Sequence, residues 1–435
     1  MDKLPGFRDF FPTPIPQKDQ WEYEARAYLF GVWRKTLAGY GFREYDGPPL
    51  EPLELFTKKS GEEIIGQLYN FEDKGGRAVA LRPEMTPTLA RMVAANERQY
   101  KKPMKWFSIP QLFRYERKQK GRLREHFQLN ADIIGEPSNA ADAELIALLI
   151  DTLRALGLTA DDFVIRLSSR DAWQQFFRER AGSEADEYAF FQIIDKLERM
   201  PPEEAKSKLE SLGINYDEVQ SFISAGAPSP ELEEILANLR ARGLEDYAKI
   251  DYGIIRGLAY YTGIVFEAFD KKGEFRAIAG GGRYDRLVHT LSDGKVDLPA
   301  LGFGMGDVVL VELLRAKNLL PEWPSNIDVY CLIENEAHRP TALGLIQRLR
   351  DQDIRVDFSL IPQKPNKQFK QATELKAPFV LTLRESESQA DTLEVRIKHL
   401  ANRTEDILSL DTCVEALKTK LTNQAVTKEE KGNQA

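Results

Sequence analysis

Three short stretches of this chain carry residue types that could hold a charged substrate. The first is 113-FRYERKQKGRLREHFQLNAD-132, which gathers arginine and lysine in a protein whose net charge is −8. If its flanks are strands, successive side chains point to opposite faces. Arg124, His126, Gln128, Asn130 and Asp132 then share one face, and Glu125, Phe127, Leu129, Ala131 and Ile133 share the other. On the preceding strand, Arg114 and Glu116 lie opposite Phe113 and Tyr115. A polar face on an antiparallel sheet can simply be solvated. The loop Arg117, Lys118, Gln119, Lys120, Gly121, Arg122 argues against that. Like charges crowded at a hairpin tip repel one another, and a polyphosphate or a nucleic-acid backbone would relieve the repulsion.

The second stretch is 81-LRPEMTP-87, where Glu84 stands between a strand and a helix. A carboxylate there is favoured by the helix dipole. It could equally bind a substrate ammonium group, with Thr86 as a second polar contact. The third stretch is 256-RGLAYYTG-263. Its tyrosines could be core aromatics, but an arginine beside an apolar strand needs an anion or a carboxylate. Two glycine-rich runs, 280-GGGRYDRL-287 and 302-GFGMGD-307, are not phosphate loops of the G-x-x-x-x-G-K-[ST] type. Glycines at 302, 304 and 306 strip one strand face of side chains, for a flat group such as a base or for close packing.

These residues need a scaffold. An amphipathic helix is expected over 18–40, with Trp21, Tyr28, Leu29, Val32 and Trp33 on its apolar side. RAVALRPE reads as a strand, and TPTLARMVAANE as a helix with Thr86 as cap and Pro87 at the first helical position. KWFSIPQLFRYE and LREHFQLNADIIG read as strands around the charged loop. AADAELIALLIDTLRALGL reads as a helix closed by glycine. Residues 170–248, rich in Glu and Lys, form a helical insertion. Strands return in YYTGIVFEAF, FRAIAGG and LPALGFGMG, and 319-LLPEWPSN-326 reads as a linker. From Ile327 strand and helix alternate, which predicts a compact α/β domain to about 420. The tail 421–435 lacks apolar residues to bury and is expected to be disordered.

The 435 residues are enough for two or three domains. No apolar run approaches the roughly 20 residues of a membrane span. The start, MDKLPGFRDFFP, lacks a signal-peptide pattern. Cys331 and Cys413 lack metal-ligand spacing, which argues against a disulfide scaffold or a structural zinc. A cytoplasmic protein is expected. The acidic balance leaves room for a local basic groove.

Several of these motifs agree. FRYERKQKGRLREHFQ resembles motif 2 of the class II aminoacyl-tRNA synthetases. LRPEMT, RGLAYYTGIVFE and GGGRYDRLV are similar to the histidine-binding and family-specific motifs of the histidyl-tRNA synthetase family. PGFRDFF and GFREYDGPPLEPLELF are similar to its N-terminal segment and motif 1. The resemblance implies an α+β catalytic core (1–320) built on the class II antiparallel sheet with helices. It further implies the 170–248 helical insertion and a C-terminal α/β anticodon-binding domain (327–420). It also implies a homodimer that takes histidine, ATP with Mg²⁺, and tRNA(His). Glu84, Thr86 and Gln128 would hold the α-amino group, with Met85 in the same substrate-binding stretch. Asp132 with Tyr260 and Tyr261 would read the imidazole. Arg114 and Arg256 would be catalytic at the α-phosphate and border the histidine, Glu116 would contact adenine, Arg122 the outer phosphates and Gln119 the tRNA acceptor end.

Two positions depart from the family pattern. Val308 and Val309 stand where motif 3 ordinarily has a Glu-Arg pair, and Asp307 is expected to cap the helix that follows. Ala259 stands where an acidic residue is usual. They keep open a second reading, an inactive synthetase-like regulatory subunit of ATP phosphoribosyltransferase that senses histidine. The C-terminal domain and the retained Arg114, Arg122 and Arg256 oppose it.

Overall fold

The computed structural model describes residues 2–15, 20–60, 62–115, 123–181, 186–197, 200–254, 261–386 and 392–432. Two compact units divide the chain, Met1–Pro321 and Glu322–Ala435.

The first unit begins with strand β1 (Phe10–Phe11), which pairs in parallel with β2 (Trp21–Glu22) ahead of helix α1 (Tyr23–Gly39). The helix thus starts later than its periodicity suggests. Trp21 is drawn out of it by the Phe10 ring, 6.3 Å away, and by the Arg8 guanidinium 4.5 Å over its own ring. Next come β3 (Arg43–Glu44), β4 (Leu50–Pro52), α2 (Leu53–Ser60), β5 (Asn70–Glu72), β6 (Ala78–Leu81) and α3 (Thr86–Asn96). Strands β4, β6 and β5 make a small antiparallel sheet.

The main sheet is built from β7 (Met104–Ser108), β8 (Gln111–Phe113), β9 (Glu125–Ile134), β10 (Phe163–Ser169), β11 (Ala248–Ile250), β12 (Ile264–Asp270), β13 (Ala279–Arg283) and β14 (Ala300–Gly306). Its order is β11-β10-β12-β13-β14-β9-β7-β3, with β8 also on β9. Pairing is antiparallel except at the two edges, β10–β11 and β3–β7. KWFSIPQLF is not one strand. Pro110 has no N–H to give the ladder, so β7 stops at Ser108 and β8 resumes at Gln111 in the same register against β9. The Pro110 carbonyl still accepts from Gln128 N at 3.1 Å.

One face of this sheet is the core. Leu129, Ala131 and Ile133 of β9 and Leu301 and Met305 of β14 pack with Leu29, Trp33 and Leu37 of α1, and with α4 (Asn139–Arg154) and α11 (Asp307–Ala316). Helices α5 (Arg170–Arg180), α6 (Glu187–Lys196), α7 (Pro202–Glu210), α8 (Tyr216–Ala225) and α9 (Pro230–Ala241) fill the span between β10 and β11. Trp173, fully buried among Phe176, Phe190, Phe222 and Tyr252, donates its indole N–H to the Tyr252 carbonyl at 3.2 Å. Helix α10 (Leu287–Leu291) packs on α3 over the opposite face of the sheet, with Leu89, Trp106, Tyr284 and Val288.

The second unit has a sheet ordered β16-β15-β17-β18-β19: β15 (Val329–Leu332), β16 (Val356–Phe358), β17 (Phe379–Glu385), β18 (Leu393–His399) and β19 (Glu405–Ser409). Helices α12 (Arg339–Arg350) and α13 (Pro365–Glu374) alternate with the parallel strands. The antiparallel pair β18 and β19 went unread in the sequence. Helix α14 (Cys413–Gly432) runs through the segment expected to be disordered. Its first turns bury Cys413, Val414 and Leu417, and good helix formers such as Ala425, Lys428 and Glu429 extend turns already nucleated. Among the described residues no helix is long and apolar enough to cross a membrane.

Candidate active site

A cavity of about 210 Å³ opens on the sheet face opposite the main core. Strand alternation supplies its floor: Leu129, Ala131 and Ile133 point into the core, so Gln128, Asn130 and Asp132 must point the other way. The solvated-face reading of this hairpin is therefore replaced by a lined pocket. Glu84 and Thr86 enter from the β6–α3 turn, Arg114 from the end of β8, and Tyr261, Tyr284 and Gly280 from around β12 and β13. Of the residues singled out in the sequence, Glu84, Thr86, Arg114, Gln128, Asp132 and Tyr261 are brought together here. Glu116, Gln119, Arg122, Arg256 and Tyr260 lie outside the described residues, as does Ala259.

The β6–α3 turn shows how Glu84 is placed. Arg82 is buried, and its guanidinium donates to the Gly47 carbonyl at 2.7 Å, to Asp46 at 3.0 Å and to the Gln111 carbonyl at 3.1 Å. With Arg82 fixed inward, Glu84 is left on the cavity side. The Met85 side chain is fully buried, with its sulfur 3.7 Å from Arg82 Nη1, so only its backbone is left to face the cavity side. Thr86 is not the cap either. It is the first helical residue, Met85 holds the cap position, and no side chain caps the turn. Arg114 is steadied from below, its Nε donating to the Pro83 carbonyl at 3.1 Å.

The glycines at 302 and 304 make room for side chains of the neighbouring strand. A β-carbon on Gly302 would overlap the Asp132 carboxylate, and one on Gly304 would lie 2.7 Å from Gln128 Nε2. The strand is bare so that two polar side chains of β9 can lie across it.

Asp132 is buried, and Tyr284 donates a hydrogen bond to its Oδ1. Burial pushes the Asp132 carboxyl up to about 7, against the downward pull of the Tyr284 hydroxyl. Tyr284 was not singled out in the sequence, although it sits in GGGRYDRL. Its neighbour at the end of β13, Arg283, is committed elsewhere. Arg283 is buried with Asp142, and its Nη1 and Nη2 donate to the carbonyls of Glu136 and Ser138, each at 3.1 Å. Burial also raises Asp142, to about 6, while Arg283 pulls it down. Asn130, the third polar residue on β9, donates to the Gln128 carbonyl at 3.1 Å.

Asp307 does not cap α11. Gly306 holds the cap position, and the buried Asp307 accepts from Phe127 N at 3.0 Å and from Arg8 at 2.8 Å. Val308 and Val309 are buried, so no charge replaces the expected Glu-Arg pair at those positions. Among the described residues no three His, Cys, Asp or Glu side chains converge to hold a metal.

The family model for histidyl-tRNA synthetase matches residues 19–307, and that for an anticodon-binding domain matches 327–420. A histidine–tRNA ligase of Opitutus terrae is 43% identical, covering 92% of this chain and 94% of its own length. The chloroplastic/mitochondrial histidine–tRNA ligase of Arabidopsis thaliana is 38% identical, with 90% of this chain and 82% of its own length covered. A crystal structure of histidyl-tRNA synthetase from Nostoc sp. PCC 7120 shares the fold, with a TM-score of 0.74 at 24% identity, covering 95% of this chain and all of that one. With a family model spanning most of the catalytic unit and relatives this similar over nearly their whole length, the chain belongs to the histidyl-tRNA synthetase family.

Proposed function

We propose that this chain activates histidine with ATP to histidyl-adenylate and transfers it to tRNA(His), releasing pyrophosphate and then AMP. The observation that carries the reading is the convergence of Glu84, Thr86, Arg114, Gln128, Asp132, Tyr261 and Tyr284 on one small cavity. Opposed demands are met within it. A carboxylate and two polar side chains suit an ammonium group, a second carboxylate lies deep beside a tyrosine, and an arginine stands at the rim.

In this reading Glu84, Thr86 and Gln128 hold the α-amino group. Asp132, held by Tyr284, accepts from the imidazole N–H, and Tyr261 borders the ring. A side chain lacking that N–H would leave the second oxygen of a buried carboxylate unpaired, which is how hydrogen-bonded sites reject analogues. The histidine carboxylate, already ionised, attacks the α-phosphorus in line, so no strong base is needed. What lowers the barrier is placement and positive charge around a phosphorus gaining negative charge. Arg114 supplies one such charge and Arg256 a second, with Glu116 at the adenine, Arg122 at the outer phosphates and Gln119 near the tRNA end. Mg²⁺ enters with ATP as its phosphate complex, the usual way this ion reaches a phosphoryl-transfer site. A ribose hydroxyl of the tRNA terminus then attacks the histidyl carbonyl, and AMP leaves.

A cytoplasmic homodimer is the assembly and location that fit this role. Charging of a tRNA(His) transcript with radiolabelled histidine tests the whole reaction. A chain that binds histidine yet never charges would instead be the regulatory protein.

A further inference from the structure

A buried charge cluster joins the N-terminal segment to β9 and to the first residue of α11, which directly follows β14. Arg8 Nε donates to Glu125 Oε1 at 2.7 Å and Arg8 Nη1 to Asp307 Oδ2 at 2.8 Å, with all three side chains 3% exposed or less. Each carboxylate has a further partner on the hairpin. Gln111 Nε2 donates to Glu125 Oε2 at 3.0 Å, and Phe127 N donates to Asp307 Oδ1 at 3.0 Å. The β9–β14 ladder ends at the Gln128–Gly306 pair. The Asp307 side chain takes the next N–H along β9, so Arg8 braces the sheet where its backbone ladder stops.

The same segment also grips the neck of the hairpin. Arg114 N donates to the Arg124 carbonyl at 2.9 Å, and Arg124 N donates to the Gly6 carbonyl at 3.0 Å. Gly6 has a φ of +87°, and a β-carbon there would lie 2.9 Å from Arg124 Cγ. The Phe7 ring sits 5.9 Å from Tyr69 and 6.3 Å from Phe113. Arg114, which leaves this neck for the cavity, thus has its backbone tied through one residue to the N-terminal segment.

We propose that Arg8 is a positioning residue for the adenylation step. By tying Glu125 at the hairpin neck to Asp307 at the end of the glycine strand, it fixes where Arg114 stands against the α-phosphate of ATP. The proposal rests on the functional reading above. Arg8 itself is buried and is not among the residues lining the cavity. Its fork spans two carboxylates at once, which a lysine ammonium cannot do with the same fixed geometry. The arrangement also fits the departure at Val308 and Val309. Charge at the start of α11 comes here from Asp307, and its partner comes from the opposite end of the unit.

Two full-length variants test this by histidine-dependent ATP–pyrophosphate exchange. Arg8→Lys keeps the positive charge that two buried carboxylates require, but bridges only one firmly. Arg8→Met combined with Asp307→Asn keeps the cluster at the single net negative charge it has natively, and covers the case in which the lysine variant does not fold. In a folded variant, kcat/KM for ATP should fall by about tenfold or more, as expected when a reacting group is misplaced. Histidine binding, measured by equilibrium dialysis, should stay within about twofold. Unchanged ATP dependence in either folded variant, or equal losses for ATP and histidine, overturns the assignment. Absence of exchange in the unaltered protein overturns the functional reading and this proposal with it. That result is read on the unaltered protein alone, so the two failures are distinguishable.

Discussion

The Tyr284 hydroxyl is hydrogen-bonded to Asp132 Oδ1 at the buried end of the cavity. This orients the carboxylate and satisfies one of its oxygens, leaving the other for a ligand. Tyr284→Phe removes the donor and leaves the packing. A hydrogen bond to a charged group contributes about 1.5–3 kcal/mol, so kcat/KM for histidine should drop by roughly 10- to 100-fold. The ATP dependence of exchange should be unaltered, and an equal loss for both substrates would place Tyr284 outside the amino-acid site.

Burial holds the Asp132 carboxyl at about 7. Below that pH the empty site is mostly protonated and loses the charge that makes it a strong acceptor for an imidazole N–H, so histidine affinity should weaken as the pH falls through 7. Free histidine titrates near about 6.5 in the same window. Asp132→Asn separates the two, since it keeps the ligand's titration and loses the site's. For folding the sign follows from a raised pKa. The folded chain holds this proton more tightly than the unfolded one, so the contribution is complete below the ordinary value of 3.8 and is lost as the pH rises through about 7. Unfolding of Asp132→Asn across pH 4–8 should lack that component.

Gly302→Ala and Gly304→Ala place a methyl where Asp132 and Gln128 lie. The first should abolish histidine recognition by displacing the imidazole-reading carboxylate. The second should raise the histidine KM through the α-amino contact. Both are checked by exchange kinetics beside thermal unfolding. Full activity in a folded Gly302→Ala protein would show that Asp132 does not depend on this bare strand.

The Arg283–Asp142 pair lies behind the cavity and is almost inaccessible. Asp142→Ala leaves the buried guanidinium with the partly exposed Asp285 at 3.3 Å and two backbone carbonyls, so the loss should lie at or below the lower end of the about 3–5 kcal/mol that breaking a buried pair costs. Urea unfolding should show a loss of that order. Asp142→Asn, which still accepts a hydrogen bond, should lose less.

The pocket floor was legible because β-strand geometry is local. Alternation over residues 124–133 alone assigned Gln128 and Asp132 to one face and Leu129 and Ala131 to the other, as found. Glu84 and Thr86 were legible from their place at a strand–helix junction. Tyr284 was not, because its role depends on β13 lying two strands from β9, a relation no local spacing encodes. The same holds for Arg8, whose partners are 117 and 299 residues away. The inward turn of the Met85 side chain was not legible, because it depends on where Arg82 is anchored. The start of α1 moved for the same kind of reason, since helical periodicity cannot register that Trp21 is held by Phe10 and Arg8.

Amino-acid-dependent ATP–pyrophosphate exchange by the full-length protein, run with each of the twenty amino acids in turn, tests the central claim most directly. The account predicts exchange with histidine and none above background with the other nineteen. Exchange driven by a different amino acid, or none at all from a folded protein that binds histidine, would contradict it.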